Sequence, residues 1–230
     1  MPRSYEKSLR PTAYGGTTRR RYGQAKSSIF LQLTGNNLAI IKIICTFAII
    51  MNDFTAELAK LHQLSGAEFS RQVECIALRK EFHPLDTDPE IFSVGGEEGD
   101  DYQNLLMAAR KAVEFGYKVY MLPNPRETRT PDFILYKKGV YRTYDLKTVF
   151  GKSSVGDSLL DSIGQCNCIL LNMTTEYNTR QLAFAIKRYF ETNDKALEVL
   201  IFKGHKRIPI IRSIVNNRHF FAIFKKAYER

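Results

Sequence analysis

Cysteine and histidine are scarce in this chain, with four of each among 230 residues. The cysteines are Cys45, Cys75, Cys166 and Cys168, and no Cys-x-x-Cys pair or Cys/His cluster stands at zinc-ligand spacing. We therefore interpret Cys166 and Cys168, which stand where a helix passes into a strand, as reduced core thiols rather than metal ligands. The sequence has no disulfide framework, which indicates a reducing compartment.

Long apolar runs are also lacking. The most apolar run, Leu38–Met51, is interrupted by Lys42, and its length falls short of the ~20 residues of a transmembrane helix. We expect no stable membrane insertion. Three interpretations of residues 1–50 stay open: an atypical signal segment, a buried or sticky helix, or a disordered or non-native basic extension before a natural start at Met51, where an Asn or Asp cap leads into a helix.

Positive charge is abundant but unevenly distributed. The formal net charge is +10; residues 1–50 and 203–230 each carry +7, whereas residues 51–202 carry −4. Lysine and arginine displace condensed counterions from phosphates, so a basic terminus can anchor a polyanion. We predict that Lys203, Lys206 and Arg207 bind nucleic acid, with a merely solubilising role for the terminal charge as the alternative.

The order of elements predicts the fold class. Residues 51–97 read as a helical segment, with short amphipathic helices over 54–64 and 66–78 and a Pro/Gly/Asp-rich connector over 81–97. The main domain, 98–230, reads as an α/β fold: a mixed sheet flanked by helices with an α-β-β-β-α-β core. Its predicted elements are a helix over 100–116, strands over 117–122, 131–136 and 140–148, a helix over 158–167, a strand over 168–173, a helix over 178–193, strands over 197–203 and 206–214, and a helix over 219–230.

The predicted hairpin PDFILYKKGVYRTYDLKT contains charges where apolar residues would pack better. Strand alternation places Asp145 and Lys147 on one face, and antiparallel pairing can bring Asp132 to them. Adjacent carboxylates repel unless a proton or cation intervenes, and Mg²⁺ or Mn²⁺ suits such oxygen ligands. The alternative interpretation is purely structural: Asp132 caps a strand, and Asp145 and Lys147 form an exposed ion pair that contributes little to stability.

These residues carry a resemblance. Pro131-Asp132, then Asp145-x-Lys147, within an α-β-β-β-α-β order, resemble the PD-(D/E)xK nuclease superfamily over about residues 98–173, extending to 203. The resemblance implies a restriction-endonuclease-like fold in which Asp132 and Asp145 bind Mg²⁺ (or Mn²⁺/Zn²⁺) and Lys147 assists hydrolysis. An acid on the first helix often joins them in that superfamily. We choose Asp101 for this role, with Glu98 and Asp100 as rivals.

Two further segments fit a nuclease site. Gln165 matches a glutamine that several branches of the superfamily carry on the following helix, where it can hydrogen-bond a phosphate or water; a surface amide is the alternative. The loop residues Lys152, Ser153 and Ser154 offer side chains and backbone N–H groups to a phosphate, and a solvated turn is the alternative.

The arrangement YDLKT–GKSSV–IGQ, followed by IKRYFE and EVLIFKG, is most similar to the C-terminal tRNA-nuclease toxin domains of CdiA-type contact-dependent growth-inhibition proteins. This resemblance implies an endonuclease acting on RNA, specifically tRNA, in the cytoplasm, with a cognate immunity protein as partner; delivery or secretion stays open. One alternative is a metal-independent RNase of barnase, EndoU, colicin or RelE type, using Lys147, Thr148, Ser153 and Ser154 on the RNA 2′-hydroxyl. Another is a catalytically inactive nucleic-acid-binding or interaction module.

Overall fold

The structure, a computed structural model, describes residues 54–95, 101–123, 130–151 and 154–229. All of them belong to the second of the two units into which the chain divides, Ile50–Arg230. The apolar run Leu38–Met51 lies outside the described residues, so the interpretations of residues 1–50 stay predictions. The proposed boundaries at residues 51–97 and 98–230 likewise stay predictions.

Eight strands of the described residues form one sheet, flanked by helices. The strands are β1 His83–Leu85, β2 Asp88–Ser93, β3 Lys118–Met121, β4 Phe133–Lys137, β5 Val140–Val149, β6 Cys168–Met173, β7 Glu198–Lys203 and β8 Lys206–Ile211. The helices are α1 over 54–60, α2 Gly66–Ala77, α3 Tyr102–Glu114, α4 Val155–Asp161, α5 Thr179–Thr192, α6 Arg212–Val215 and α7 Phe220–Glu229, and a 3₁₀ turn, Leu61–Gln63, follows α1.

The sheet is mixed, and its spatial order follows the chain order from β1 to β8. The pairs β2–β3, β5–β6 and β6–β7 are parallel, and the others are antiparallel. Each parallel pair needs a crossover, and α3, α4 and α5 supply the three. The mixed α/β fold with its α-β-β-β-α-β core is thereby confirmed, in the order α3-β3-β4-β5-α4-β6.

The two faces of the sheet are covered differently. On one face, α3 packs on the centre of the sheet through Leu106, Ala109 and Ala112. The other face carries two separate apolar clusters, one covered by α1 and α2 over the β2–β5 part and one covered by α4, α5 and α7 over the β5–β8 part. The central strand β5 therefore runs between two cores on that second face.

Residues 81–97, which the sequence predicts to be a connector, include two strands. These are the antiparallel strands β1 and β2, and β2 pairs in parallel with β3. The sequence pattern did not indicate these strands, because they contain Pro84 and Pro89 and are joined by two turn residues, and proline and aspartate usually mark loops. Proline is tolerated here because β1 is an edge strand and Pro89 stands next to the start of β2.

The β4–β5 hairpin has a two-residue turn, Lys138-Gly139, with both residues in the left-handed region at φ +52° and φ +81°. Such a turn matches the right-handed twist of the strands and favours Asn-Gly or Gly-Gly. Lysine at the first position is unusual, because a side chain makes this conformation costly. The turn fixes the register in which Phe133 pairs with Tyr144, one step before Asp132 and Asp145.

The structure bears on two expectations, that Cys166 and Cys168 are reduced core thiols and that the chain does not insert stably into a membrane. Cys166 and Cys168 are buried and free, as the sequence indicates, while Cys75 is free and exposed. Within the described ranges, none of the helices has both the length and the apolar character needed to cross a bilayer.

Candidate active site

Asp132 and Asp145 meet across the β4–β5 pair. Asp132 stands one residue before β4, and its backbone N–H donates to the carbonyl of Tyr144 at 2.9 Å. Both side chains lie on the face with two cores, at the boundary between them, and both are buried, 6% and 1% exposed. Lys147 contacts Asp145 from the same strand and remains partly exposed. The three side chains that the alternation assigns to one face therefore lie together in the structure.

The carboxyl groups of Asp132 and Asp145 lie close enough to form a hydrogen bond. Burial, and then the negative charge of Asp145, raise the pKa of Asp132 to about 7, while a backbone N–H bond from Leu146 and the charge of Lys147 oppose the shift. The Leu146 N–H donates to Asp132 Oδ2 at 2.6 Å. Asp132 also forms a side-chain hydrogen bond with Asp145, and two adjacent buried carboxylates repel one another when both are charged.

Asp145 is the centre of the polar cluster. Lys147 Nζ lies 2.9 Å from Asp145 Oδ2 and 3.2 Å from Oδ1. Gln165 Nε2 donates to Asp145 Oδ1 at 3.0 Å and to the carbonyl of Thr130 at 2.9 Å. The hydroxyl of Ser162 donates to Asp145 Oδ2. This ring of donors stabilises a carboxylate that burial would otherwise disfavour.

Gln165 joins the cluster from the turn after α4, which ends at Asp161, earlier than the predicted helix over 158–167. In the structure its amide contacts Asp145 and Thr130, and it thereby ties α4 and the segment before β4 to β5. Gln165 is therefore partly buried within the cluster, unlike the surface amide of the alternative interpretation.

Ser162 is a site residue that sequence reasoning missed. It is fully buried, and its hydroxyl also lies 3.1 Å from the carbonyl of Ser158. A signal was present: Val155, Leu159, Ser162 and Cys166 recur at the 4-3-4 spacing of a core-facing helix stripe, and all four are buried. A serine in such a stripe needs a polar partner inside the protein, and Asp145 supplies it.

Asp101 does not join the two aspartates. It is exposed at the start of α3, where its Oδ1 accepts from Asn104 Nδ2 at 3.1 Å. Helix α3 packs on the opposite face of the sheet, and there Thr148 donates to Asn104 Oδ1 at 2.7 Å. Among the described residues, no three His, Cys, Asp or Glu side chains gather in a way that could hold a metal ion. Glu98 and Asp100 lie outside the described residues.

The predicted nucleic-acid contacts are dispersed. Lys203 and Lys206 pair in the β7–β8 hairpin and both reach the carbonyl of Tyr228, at 3.3 Å and 3.5 Å, near the C-terminal end of α7. Lys203 also forms an ion pair with Glu176 at 2.8 Å. Arg207 points to the other face and donates to the hydroxyl of Tyr117 at 2.8 Å. The basic run is therefore split between two faces.

In the GKSS loop, Ser154 is the N-cap of α4, and its hydroxyl accepts from the N–H of Asp157 at 3.4 Å. This is the ordinary capping role of serine, which satisfies a helix N–H group. Lys152 and Ser153 lie outside the described residues, so their phosphate contacts stay a prediction.

Comparisons with known proteins leave the family of this chain open. No protein-family model matches it, and no curated protein matches it. A search of solved structures finds a chain from the "CdiA-CT/CdiI toxin and immunity complex from Burkholderia pseudomallei", at 14% identity and a TM-score of 0.34, covering 52% of this chain and 98% of that chain. At that score the likeness supports neither a shared fold nor a shared activity.

Proposed function

We propose that this protein is a metal-dependent endonuclease that hydrolyses phosphodiester bonds of RNA, specifically tRNA. The observation that supports it is the contact of two buried carboxyl groups, Asp132 and Asp145, with an ammonium group, Lys147, 2.9 Å from one of them. Burying two adjacent acids is costly unless a cation or proton neutralises one of them. A strand pair with only a structural role would be more stable with apolar residues here.

The donor set fits a small hard cation. The carboxyl groups of Asp132 and Asp145 lie together, so these two residues would hold a divalent cation, which would compete with protons for their oxygens. Mg²⁺ commonly binds one or two carboxylates and completes its shell with water and substrate phosphate, so two acids suffice. Such a cation, when bound, would act as a Lewis acid on the phosphate. Asp132 and Asp145 would hold it; Asp101, exposed on α3, would not.

The other residues position these groups. Gln165 and Ser162 fix the carboxylate of Asp145, because each donates a hydrogen bond to one of its oxygens. Lys147 is accessible from solvent, with 26% of its side chain exposed, so it can contact a substrate phosphate that approaches the buried acids. Its ammonium group then stabilises the negative charge that develops on the phosphate oxygens and orients the attacking water.

The choice of RNA over DNA, and of tRNA within RNA, comes from the sequence resemblance to CdiA-type toxin domains. The cognate immunity protein and the cytoplasmic site of action have the same origin. These remain predictions, and the carboxylate pair would serve a DNase equally well.

The metal-independent RNase alternative uses Thr148 beside Lys147. In the structure Thr148 projects from the opposite face of β5 and donates to Asn104, so the two side chains do not converge on one point. Ser154 caps α4, and Ser153 lies outside the described residues. The structure therefore gives this alternative less support than the carboxylate pair gives the metal-dependent enzyme.

The decisive experiment is cleavage of total tRNA and of plasmid DNA with Mg²⁺ and with EDTA. We expect RNA cleavage with Mg²⁺ and none in EDTA, and we expect Lys147→Ala to abolish it. The matched control is Lys226→Ala, which removes an exposed lysine from α7. Cleavage that persists in EDTA would support the metal-independent RNase, cleavage of DNA alone would indicate a DNase, and cleavage of neither would favour a binding module.

A further inference from the structure

A second charged site lies at the other end of β5, on the face that α3 packs against. It is a cavity of about 240 Å³ lined by Lys137, Lys138, Arg142 and Arg207 around Tyr117 and Glu198. Of the nine described residues that line it, four are cationic and one is acidic. The pocket therefore has an excess of three positive charges.

Three of the four cationic groups, those of Arg207, Lys137 and Arg142, are held by fixed partners. Arg207 Nε donates to the hydroxyl of Tyr117 at 2.8 Å, and the Lys137 ammonium lies 4.8 Å from the centre of the same ring. Arg142 pairs with Glu198, which is 3% exposed and also accepts from the hydroxyl of Tyr144 at 2.8 Å. Side chains positioned in this way lose little further entropy when a ligand binds.

Placing these cations close together is energetically unfavourable unless an anion binds among them. Burial, and then the charges of Arg207 and Lys138, lower the pKa of Lys137, as expected where positive groups lie close together. Lys138 occupies the left-handed turn position at φ +52°, where glycine or asparagine would be less strained. The chain thus keeps a cation on the rim of the pocket at a position that disfavours it.

We propose that this pocket binds a phosphate group, carried by a nucleotide or by a nucleic-acid strand, as a site separate from the Asp132–Asp145 pair. Phosphate suits it, because a guanidinium offers five donors in a planar fork and lysine ammonium groups add point charges. The cavity is smaller than the pockets of ~300–1,000 Å³ that enclose drug-sized ligands, so it accommodates the phosphate rather than a whole nucleotide. The proposal does not depend on nuclease activity.

The test is binding in EDTA at low ionic strength, measured by calorimetry with three probes: pyrophosphate, adenosine monophosphate and a single-stranded RNA oligonucleotide. The variant is the double substitution Lys138→Gln with Arg207→Gln, and the control is Lys226→Gln on the face away from the pocket. We expect the double variant to weaken binding about tenfold or more. For the oligonucleotide, the slope of log affinity against log salt should fall by about 1.4.

The probes distinguish the two sources of phosphate. Saturable binding of pyrophosphate or adenosine monophosphate that the double variant loses supports a nucleotide ligand, whereas loss confined to the oligonucleotide supports a strand. Binding of no probe, or equal binding by the double variant and Lys226→Gln, overturns the proposal. If the double variant has a lowered melting temperature, Lys138→Gln alone decides, because its side chain is exposed on a turn.

Discussion

The two ends of β5 carry charged sites of opposite kinds. Towards its C-terminal end, Asp132 and Asp145 are buried, and the pKa of Asp132 is raised to about 7 by burial and by the charge of Asp145. Towards its N-terminal end, four cationic side chains surround a cavity, and three of them, Lys138, Arg142 and Arg207, are exposed. Water weakens the repulsion among the cations at the exposed site without removing it, whereas burial strongly disfavours two charged acids at the other site. The contrast suggests a cation at one end and an anion at the other.

The largest effect is expected from a substitution that removes the charge of Asp145 at the buried site. Asp145→Asn keeps the shape of the side chain but loses the carboxylate that Lys147 and a cation would contact. We expect RNA cleavage with Mg²⁺ to fall by about 10³-fold, since groups of this kind act through electrostatics in a low-dielectric site. The control is Glu68→Gln, which neutralises an exposed acid on α2. Activity within a few-fold of wild type for Asp145→Asn would contradict the site.

The next prediction concerns stability and pH at the same site. The pKa of Asp132 is raised from 3.8 to about 7 in the folded protein, so between these values the folded state binds more protons than the unfolded state. Stability therefore declines as pH rises through this range, by up to about 4 kcal/mol for a shift of about three pKa units. Urea unfolding in EDTA at about pH 4.5 and about pH 7.5 measures it.

The matched variant for that titration is Asp132→Asn. An asparagine can still accept from the Leu146 N–H and donate to Asp145, but it does not titrate. The difference in unfolding free energy between wild type and variant should therefore carry the whole pH dependence of this group. A difference that stays constant from acid to neutral pH would show that Asp132 is not protonated in the folded protein.

A smaller effect is expected at the buried acid of the cationic end. Glu198→Gln removes the charge that pairs with Arg142 and accepts from Tyr144. We expect a loss of about 2 kcal/mol in the free energy of unfolding, the value of a hydrogen bond to a charged group. Arg142 is partly solvated, which limits the cost. Urea denaturation checks this, and an unchanged stability would mean that water satisfies both partners.

Gln165→Ala tests how the carboxylate is positioned. The variant loses the hydrogen bonds to Asp145 and to the carbonyl of Thr130, for about 1 kcal/mol of stability. If Gln165 orients Asp145, kcat should fall about tenfold while KM changes little. Gln165→Glu is the comparison, because a further carboxylate beside Asp132 and Asp145 should lower activity further. A loss of stability with normal kcat would assign Gln165 a purely structural role.

The smallest expected effect separates stability from binding at the cationic end. Lys138→Gly relieves the left-handed lysine of the hairpin turn and should raise stability by up to ~1 kcal/mol. It should also weaken phosphate binding, because the pocket loses a cation. Thermal unfolding and calorimetry with pyrophosphate measure the two changes. A variant that is more stable and binds equally well would place the lysine outside the pocket's function.

Much of the fold could be predicted from patterns local to the chain. The strands β3 to β7 and the helices α2, α3, α5 and α7 lie close to their predicted bounds, because each has a clear period and turn or cap residues at its ends. Strands β1 and β2 could not be recognised, since Pro84 and Pro89 resemble loop residues until the edge of the sheet is known. The early end of α4 is a consequence of the turn that brings Gln165 to Asp145.

Alternation along a strand was enough to assign Asp145 and Lys147 to one face of β5 from the sequence alone. The same pattern allowed Asp132 to approach either of them, and the two-residue turn of the folded hairpin sets the register that opposes Asp132 to Asp145. The contacts that these groups make depend on tertiary packing. Ser162 reaches Asp145 because α4 covers this face, while Asp101 is excluded because α3 covers the other one. Arg207 and Lys137 contact the same side chain, Tyr117, only because β8 pairs with β7. Alternation is a local property of the backbone, whereas helix packing depends on the whole core.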